Sequence, residues 1–256
     1  MNQEERANLF KSLHVKGNPV ILFNIWDAGS AKALQDLGAK AIATGSWSVA
    51  AAHGYEDREE IPLEMVITNL ERICSNVTIP VTLDFEGGYA KLPAELRENV
   101  TKVIEAGGIG INFEDQIVGE EGLYSIKEQS SRIKGVHSAT IRTGIPIYIN
   151  ARTDIFLKAD PSQHNETHLQ EAIERSKAYA DAGASGFFAP GLRNPKFIEQ
   201  LCEHSPLPVN ILVMPDVPSS KKLAELGVAR ISYGPRPYRM MIVALKENGK
   251  KGLSLT

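Results

Sequence analysis

Two carboxylates follow a short apolar segment and stand two positions apart. Residues 79–83 read Ile-Pro-Val-Thr-Leu, and Asp84 and Glu86 come next, before two glycines. An apolar run between proline and glycine is typical of a buried strand, and strand side chains alternate, so Asp84 and Glu86 are expected on one face. Adjacent carboxylates need a cation, a shared proton or a basic side chain between them. Oxygen ligands at a strand end suit a hard cation such as Mg2+.

Further charged residues end two later apolar segments. Glu114 and Asp115 end one of them, and Arg152 ends the next. Neighbouring strands lie about 4.8 Å apart, so these groups can share one ion and one ligand. An arginine among acids lowers their pKa values and can bind a carboxylate, although Arg152 could instead be a structural partner of Asp84 or Asp154. Asp115 is the better candidate for a helix cap.

The charged residues lie in a chain whose predicted strands and helices alternate. Eight apolar segments end in polar residues, at 20–26, 41–44, 81–85, 109–113, 147–151, 186–189, 209–213 and 230–233. Segments of helical periodicity lie between most of them and after the last, at 28–37, 63–74, 93–106, 126–142, 166–182, 195–203, 219–226 and 237–247. Strict alternation predicts parallel pairing of the strands.

The order of these elements predicts a (β/α)8 TIM barrel. Odd-numbered strands begin after proline and even-numbered strands follow a helix that ends in glycine, so one strand–helix–strand–helix unit occurs four times. Such barrels carry their active site at the C-terminal ends of the strands. A doubly wound sheet is the alternative, but it normally has a glycine-rich turn after its first strand, where residues 24–29 read Asn-Ile-Trp-Asp-Ala-Gly. We predict one α/β domain over residues 1–256.

Composition narrows the class of protein. The net charge is −3 without long runs of either sign, which argues against binding to nucleic acid or to a membrane surface. Residues 1–14 lack the apolar core of a signal peptide, and no apolar run is long enough to span a bilayer. Cys74 and Cys202 both fall in predicted helices. A reduced, cytoplasmic protein is therefore expected.

Five of these segments in order resemble the isocitrate lyase / phosphoenolpyruvate mutase superfamily. They are Gly-Ser-Trp-Ser at 45–48, Gly-Tyr-Glu-Asp at 54–57, Asp-Phe-Glu-Gly-Gly-Tyr at 84–89, Asn-Phe-Glu-Asp-Gln at 112–116 and Asn-Ala-Arg-Thr-Asp at 150–154. The resemblance extends over nearly the whole chain. It implies a Mg2+ site at the barrel mouth that chelates a 2-oxo acid or its enolate, with Mn2+ as a substitute.

The resemblance also implies roles for individual residues. Asp84 contacts the metal, Glu86 stands where the second metal acid is usually aspartate, and Glu114 acts through metal-bound water. The backbone amides of Gly45, Ser46 and Trp47 hold the substrate carboxylate, and Asp57 and Arg152 are catalytic. Asn210, at the end of the seventh strand, is a further candidate for substrate binding. Relatives of this kind are often tetramers, dimers of dimers that exchange the last helix between subunits.

Two long connections are candidate lids over the barrel mouth, at 48–62 and 116–125. Lyases of the superfamily have a Lys-Lys/Arg-Cys-Gly lid, whereas residues 117–125 read Ile-Val-Gly-Glu-Glu-Gly-Leu-Tyr-Ser. The Lys-Thr-Asn-Ser lid of the phosphonate enzymes is missing as well. This departure argues against isocitrate or methylisocitrate lyase activity and against phosphonomutase activity. Tyr124, with Glu120, Glu121 and Ser125, is a candidate for proton transfer from the loop.

These residues favour a Mg2+-dependent lyase or decarboxylase that acts on a small 2-oxo dicarboxylic acid such as oxaloacetate. Loss of CO2 needs an electron sink, here a metal-stabilised enolate, and water can protonate the product. One alternative is a hydrolase of a C–C or C–P bond. Another is a non-catalytic protein that binds 2-oxo acids. A sugar-phosphate isomerase is a weaker alternative, because the loops after strands seven and eight are rich in proline and therefore poor in free amides.

Overall fold

The eight predicted strands form one parallel sheet in the computed structural model, which describes residues 1–254. The strands are β1 (Val20–Leu22), β2 (Ile42–Ala43), β3 (Val81–Asp84), β4 (Gly110–Glu114), β5 (Tyr148–Arg152), β6 (Gly186–Phe188), β7 (Val209–Leu212) and β8 (Arg230–Ser232). Their order in the sheet is β1-β8-β7-β6-β5-β4-β3-β2. The remaining seam closes at a parallel bridge between Ile25 and Thr44, where the Ile25 amide donates to the Ala43 carbonyl at 2.9 Å. The predicted (β/α)8 barrel is confirmed.

The helices surround this barrel, and every predicted helix has a counterpart. They are α1 (Gln3–Ser12), α2 (Ala28–Asp36), α3 (Ser46–Ala52), α4 (Leu63–Asn76), α5 (Pro93–Glu105), α6 (Ile126–Thr143), α7 (Ile155–Lys158), α8 (Glu166–Asp181), α9 (Pro195–His204), α10 (Ser220–Glu225) and α11 (Arg236–Leu253). A short 3-10 turn covers Pro161–Gln163. The sequence patterns did not predict α1, α3 or α7. None of the helices in the described part of the chain has the length and apolarity that crossing a membrane requires.

Helix α1 lies across the N-terminal end of the barrel. Its two buried side chains, Ala7 and Phe10, belong to an apolar cluster with residues at or near the starts of β1, β2, β4 and β5. The Phe10 ring meets the Tyr148 ring edge-on at 5.4 Å between centroids. His14, just after the helix, stacks on Tyr148 at 4.0 Å. This helix therefore seals the end of the barrel opposite the C-terminal ends of the strands.

Helix α11, unlike the other long helices, buries almost none of its side chains against the barrel. Only Pro237 is buried over its 18 residues, while Met240 and Val243 are 52% and 55% exposed. The side chains of Ile21 on β1 and of Phe23, the residue after β1, are also exposed, at 51% and 37%. In a (β/α)8 barrel the outer face of each strand is normally covered by a helix. Both an apolar helix face and an apolar strand face are therefore left uncovered.

Candidate active site

A cavity of about 200 Å3 opens at the C-terminal ends of the strands. Its lining residues come from nearly every strand end: Asn24, Gly45, Ser46, Trp47, Asp57, Asp84, Asn112, Arg152, Leu157, Phe188, Pro190, Leu212, Ser232, Gly234 and Pro235. We call it the central cavity. It brings together six of the predicted site residues, namely Gly45, Ser46, Trp47, Asp57, Asp84 and Arg152. Larger cavities of about 480 and 810 Å3 lie on the outside of the barrel, away from these charged groups.

Asp84 is the last residue of β3 and is held from two sides. Its Oδ2 accepts hydrogen bonds from the Ser46 amide at 3.0 Å and from the Ser46 hydroxyl at 3.1 Å. Its Oδ1 accepts from the Asn112 side-chain amide at 3.2 Å. A carboxylate held by several donors is fixed in orientation. Asp84 is therefore a preorganised carboxylate at the wall of the central cavity.

The loop after β2 differs from what the resemblance implied. The Gly45 amide donates to the Ile25 carbonyl at 3.0 Å, which closes the barrel seam. The Ser46 amide donates to Asp84. These two amides are therefore engaged within the protein, and their expected role in holding a substrate carboxylate is not supported by this geometry. The Trp47 amide remains as the candidate from this loop.

Glu86 does not lie on the strand with Asp84. β3 ends at Asp84, and Glu86 has a left-handed backbone with φ of 49°, so the expected alternation does not reach it. Its side chain is 5% exposed, and its Oε2 accepts a hydrogen bond from the Glu59 amide at 3.0 Å. It does not line the central cavity, but it borders, together with Asp84, a separate small space of about 10 Å3. This space is close to the minimum that one water molecule requires.

Left-handed backbone is concentrated around these acids. Among residues 1–254, the non-glycine residues with positive φ are Arg58, Glu59, Glu86, Tyr89 and, far from this site, Asp216. Outside glycine such a conformation costs about 1–2 kcal/mol per residue. Hydrogen bonds join the strained segments 58–59 and 86–89. The Glu59 amide donates to Glu86, and the Glu59 side chain accepts from the Tyr89 amide at 2.8 Å. Strain of this kind persists where surrounding contacts determine the conformation, and it is frequent at functional sites.

The pKa of Glu86 is strongly shifted. Burial, followed by the negative charges of Asp57, Asp84 and Glu59, raises the pKa of Glu86 from 4.5 to about 8. A carboxyl whose pKa is higher in the folded than in the unfolded state stabilises the protein below the unfolded pKa. That stabilisation is lost as the pH rises from about 4.5 towards 8. Without a cation, the folded protein therefore carries a growing electrostatic penalty in this range.

We expect Glu86→Gln to raise the melting temperature of the metal-free protein at pH 9 and to leave it nearly unchanged at pH 4.5. The amide removes the charge that burial and repulsion penalise, and each kcal/mol gained corresponds to about 2–4 °C in a protein of roughly this size. Thermal unfolding in chelator across this pH range measures the effect. Glu71→Gln, on an exposed part of α4, is the matched control. A Glu86→Gln shift that does not depend on pH would contradict the raised pKa.

Asp57 lines the central cavity together with Asp84. Its Oδ1 is buried and has no hydrogen-bond partner within the described residues. Burial, and then the charge of Asp84, raises the pKa of Asp57 above its ordinary value. A buried carboxylate oxygen without a partner beside a second carboxylate is unfavourable unless a cation binds there. Asp57 is therefore a candidate ligand for a cation beside Asp84.

Arg152 joins two acids at the end of β5. Its Nη1 lies 2.8 Å from Glu114 Oε2, and its Nε and Nη2 contact both oxygens of Asp154 at 2.6 and 2.9 Å. Burial lowers the pKa of Arg152, but the carboxylates of Asp154 and Glu114 outweigh burial and raise it above the usual value. The guanidinium is therefore charged. The structural pairing with Asp154 exists, and Arg152 also lines the central cavity.

Glu114 is buried behind Arg152. Pairing of β4 with β5 places the two residues side by side, and the Glu114 side chain is 5% exposed. Burial raises the pKa of Glu114, while the Arg152 charge opposes this shift. Glu114 does not line the central cavity. A direct contact with a metal there is not supported by this arrangement, and a contact through water stays a proposal.

Asp115 is not a helix cap, contrary to our expectation. Its Oδ1 accepts from the Asp154 amide at 3.0 Å, and its Oδ2 accepts from Arg175 and from the Tyr179 hydroxyl at 2.9 and 2.8 Å. The cap of α6 is Ser125, which forms a capping box with Glu128. Asp115 thus fixes the segment that holds Arg152. Sequence reasoning missed Arg175 and Tyr179, whose one signal was their spacing of four on α8.

Tyr124 and Asn210 lie outside the central cavity. The Tyr124 ring covers the Arg132 guanidinium at 4.1 Å and borders a separate cavity of about 250 Å3. Asn210 is 1% exposed and accepts a hydrogen bond from the Ser232 hydroxyl at 3.2 Å. We therefore assign neither residue a role at the reacting atoms. The lid role of residues 116–125 stays a prediction.

The donor set fits a divalent cation with few protein ligands. Over residues 1–254, no three His, Cys, Asp or Glu side chains converge into a metal-binding group. Mg2+ commonly keeps several waters and binds through one or two carboxylates plus substrate oxygens. Asp84 and Asp57 match that pattern, since both residues border the central cavity. Glu86 and Glu114, the other two residues of the predicted metal set, do not line this cavity, so their part in holding an ion stays a prediction.

A parallel barrel with carboxylates and a charged arginine at the C-terminal ends of its strands has the arrangement of an enzyme. Comparison with known proteins gives the family. The chain belongs to the phosphoenolpyruvate phosphomutase family, whose model matches residues 10–252. This confirms the resemblance seen in the sequence.

Several named proteins are similar over most of their length. The 2-methylisocitrate lyase of Escherichia coli is 26% identical over 253 residues, covering 94% of this chain and 82% of the enzyme. The oxaloacetate decarboxylase of Pseudomonas entomophila is 24% identical over 244 residues, covering 92% and 80%. A Burkholderia cenocepacia protein provisionally assigned as a phosphonomutase has a crystal structure with a TM-score of 0.96 and 45% identity, covering 98% of this chain and all of that one.

The same fold occurs at lower similarity in a phosphonopyruvate hydrolase crystallised with oxalate and Mg2+. Its TM-score is 0.82 at 19% identity, with 96% of this chain and 85% of that chain covered. The named family members include a lyase, a decarboxylase and a phosphomutase. The family is therefore enzymatic.

Proposed function

We propose that the protein is a Mg2+-dependent lyase or decarboxylase acting on a small 2-oxo dicarboxylic acid such as oxaloacetate. One observation carries this proposal: the central cavity is lined by Asp57, by Asp84 and by the charged Arg152, and one buried oxygen of Asp57 lacks a hydrogen-bond partner within the described residues. The carboxylates favour a cation, and the guanidinium favours an anion. A metal ion and a carboxylic acid can therefore bind together. The name of the similar oxaloacetate decarboxylase agrees with this class of substrate, and that of the 2-methylisocitrate lyase agrees with cleavage of a carbon–carbon bond.

Asp84 and Asp57 would hold the cation, Mg2+ or Mn2+, at the cavity wall. Bound there, the ion would act as a Lewis acid towards the 2-oxo group of the substrate. Ser46 and Asn112 fix the orientation of Asp84 through the hydrogen bonds to both of its oxygens. Glu86 and Glu114 lie behind this wall and would act through water.

Decarboxylation of oxaloacetate makes limited demands on the protein. The C3–C4 bond breaks, CO2 leaves, and the electron pair moves towards the C2 keto oxygen, after which C3 takes up a proton to give pyruvate. Arg152 lies where it can stabilise the negative charge that develops on the oxygen, because its guanidinium lines the cavity in charged form. Residues 116–125 contain no cysteine or lysine, and protonation by water needs neither.

A hydrolase of a C–C or C–P bond is the second candidate. Asp57 favours it, because a carboxylate with a raised pKa that lines the cavity is suited to accept a proton from water. Products would then be oxalate with acetate, or phosphate with pyruvate. The two candidates share the metal site and differ in the bond that breaks.

The deciding experiment incubates the protein with oxaloacetate and Mg2+ and measures pyruvate and oxalate separately, with and without chelator. A sample without protein gives the rate due to the metal alone. Pyruvate formation above that rate and dependent on metal supports the decarboxylase. Oxalate supports the hydrolase. If neither product forms while oxaloacetate binds, the protein is a binding protein for 2-oxo acids and the catalytic proposal fails.

We also propose a homo-oligomer, a dimer of dimers, in which α11 packs on a neighbouring subunit. The exposed apolar side chains of α11 border a groove of about 810 Å3, and Ile21 and Phe23 border another of about 480 Å3 on the outer face of β1. The exposed surface of α11 and the exposed outer face of β1 are both apolar, so each can cover the other. An α11 from a second copy would cover the β1 face that the chain's own α11 leaves open.

Val243→Glu is expected to reduce the molar mass in solution. A charge at the centre of a buried apolar contact removes the driving force for association. Size-exclusion chromatography with light scattering measures the change. Lys246→Glu adds an acid to the same helix outside the groove and serves as the control. An oligomer unaffected by Val243→Glu would contradict the exchange of α11.

A further inference from the structure

Arg230 on β8 is buried inside the barrel without a charged partner. Its side chain is 1% exposed and is the largest of the fully buried side chains among the described residues. Within residues 1–254 it forms no ion pair, and its Nη1 has no hydrogen-bond partner. Burial lowers the pKa of Arg230 to about 10, so the guanidinium remains charged at neutral pH. Burying an unpaired charge is costly, and so this arginine is not explained by stability.

The contacts of Arg230 lead directly to the proposed metal site. Its Nη2 donates to Asn112 Oδ1 at 3.0 Å, and the Asn150 side chain donates to the same oxygen at 2.9 Å. With its oxygen held by two donors, the Asn112 amide must present its NH2 group on the other side. That group donates to Asp84 Oδ1 at 3.2 Å. If the Asn112 amide were rotated by 180°, its NH2 group would face the donors of Arg230 and Asn150. Its oxygen would then face the Asp84 carboxylate.

We propose that Arg230 is a positioning residue for the metal site. It fixes the orientation of Asn112, and Asn112 in turn fixes Asp84. The inference rests on the proposed function, in which Asp84 holds a divalent cation. Partners behind a metal ligand orient it, and their loss typically costs 10–100-fold in metal affinity or activity.

The pattern of effects separates this role from a structural one. Arg230→Met has a similar length and removes the unpaired charge, so the melting temperature is expected to stay the same or rise. The affinity for Mn2+ is expected to fall about 10–100-fold. A merely structural arginine would behave in the opposite way, with a lower melting temperature and unchanged affinity. Arg142→Met, which removes an exposed arginine paired with Glu98, is the matched control.

The experiment titrates Mn2+ into the wild-type and variant proteins and follows free Mn2+ by electron paramagnetic resonance, without substrate. A double-mutant cycle with Asn112→Ala tests the chain of contacts. Once Asn112 is gone, Arg230→Met should weaken binding no further. Additive losses in the double variant would overturn the proposal, and so would wild-type affinity in Arg230→Met.

Two further measurements keep the result interpretable. If Arg230→Met does not fold, Arg230→Gln is titrated instead, and affinity equal to that of the wild type would again overturn the inference. Asp84→Ala is titrated in parallel. Loss of binding in Asp84→Ala with normal binding in the Arg230 variant rejects the role of Arg230 alone. Normal binding in Asp84→Ala rejects the metal assignment, and with it this inference.

Discussion

Asp84→Ala is expected to abolish metal-dependent turnover. This carboxylate ends β3, borders the central cavity and is held in place by Ser46 and Asn112, so its removal takes away a fixed ligand position. A bound metal supplies several kcal/mol of charge stabilisation, which corresponds to a loss of about 10³-fold in kcat/KM. The rate with saturating Mg2+ should then equal the rate in chelator.

The matched variant for this test is Asp84→Asn, which keeps the shape of the side chain and removes its charge. Both variants should lose the metal response. Circular dichroism and thermal unfolding establish that each is folded before its rate is interpreted. Full activity with an undiminished metal response in Asp84→Ala would remove Asp84 from the metal site.

Arg152→Ala is expected to lower kcat/KM roughly 150-fold if the guanidinium contacts the developing negative charge. This corresponds to a loss of about 3 kcal/mol in transition-state stabilisation. The same change leaves Glu114 and Asp154 buried without their partner, which typically destabilises a protein by about 3–5 kcal/mol. Stability and activity must therefore be measured separately. The decisive quantity is kcat/KM per folded molecule.

Asp154→Asn is the control, because it changes the structural contact between Arg152 and Asp154. It weakens the paired contact to Arg152 but leaves the guanidinium and its contact to Glu114 in place. We expect Asp154→Asn to affect the melting temperature more than kcat/KM. Normal kcat/KM in folded Arg152→Ala would show that Arg152 is a structural residue only.

The barrel could be predicted because its signals are local and repeated. Each strand is a short apolar run with proline before it or a glycine-capped helix ahead of it, and eight such units limit the fold to few arrangements. Helix α1 gave no such signal, since only Ala7 and Phe10 are buried. Helix α3 is short and rich in alanine, and its start falls inside a segment that could equally be a loop.

The site was predictable only in part, because its details depend on contacts between distant residues. Strand ends indicated that Asp84 and Arg152 would meet, and the family motifs added Asp57. The pairing of Asp115 with Arg175 spans 60 positions and has no local signature. Glu86 adopts a backbone conformation that non-glycine residues rarely adopt, so strand alternation could not place it. The orientation of Asn112 depends on Arg230, which is 118 positions away.

The position of α1 has a consequence for the passage of small molecules. Because this helix covers the N-terminal end of the barrel, the interior is closed on that side. Substrate and product must therefore pass through the same opening, at the C-terminal ends of the strands. A product that stays at this opening excludes the next substrate, so the rate at which the mouth empties sets an upper limit on turnover.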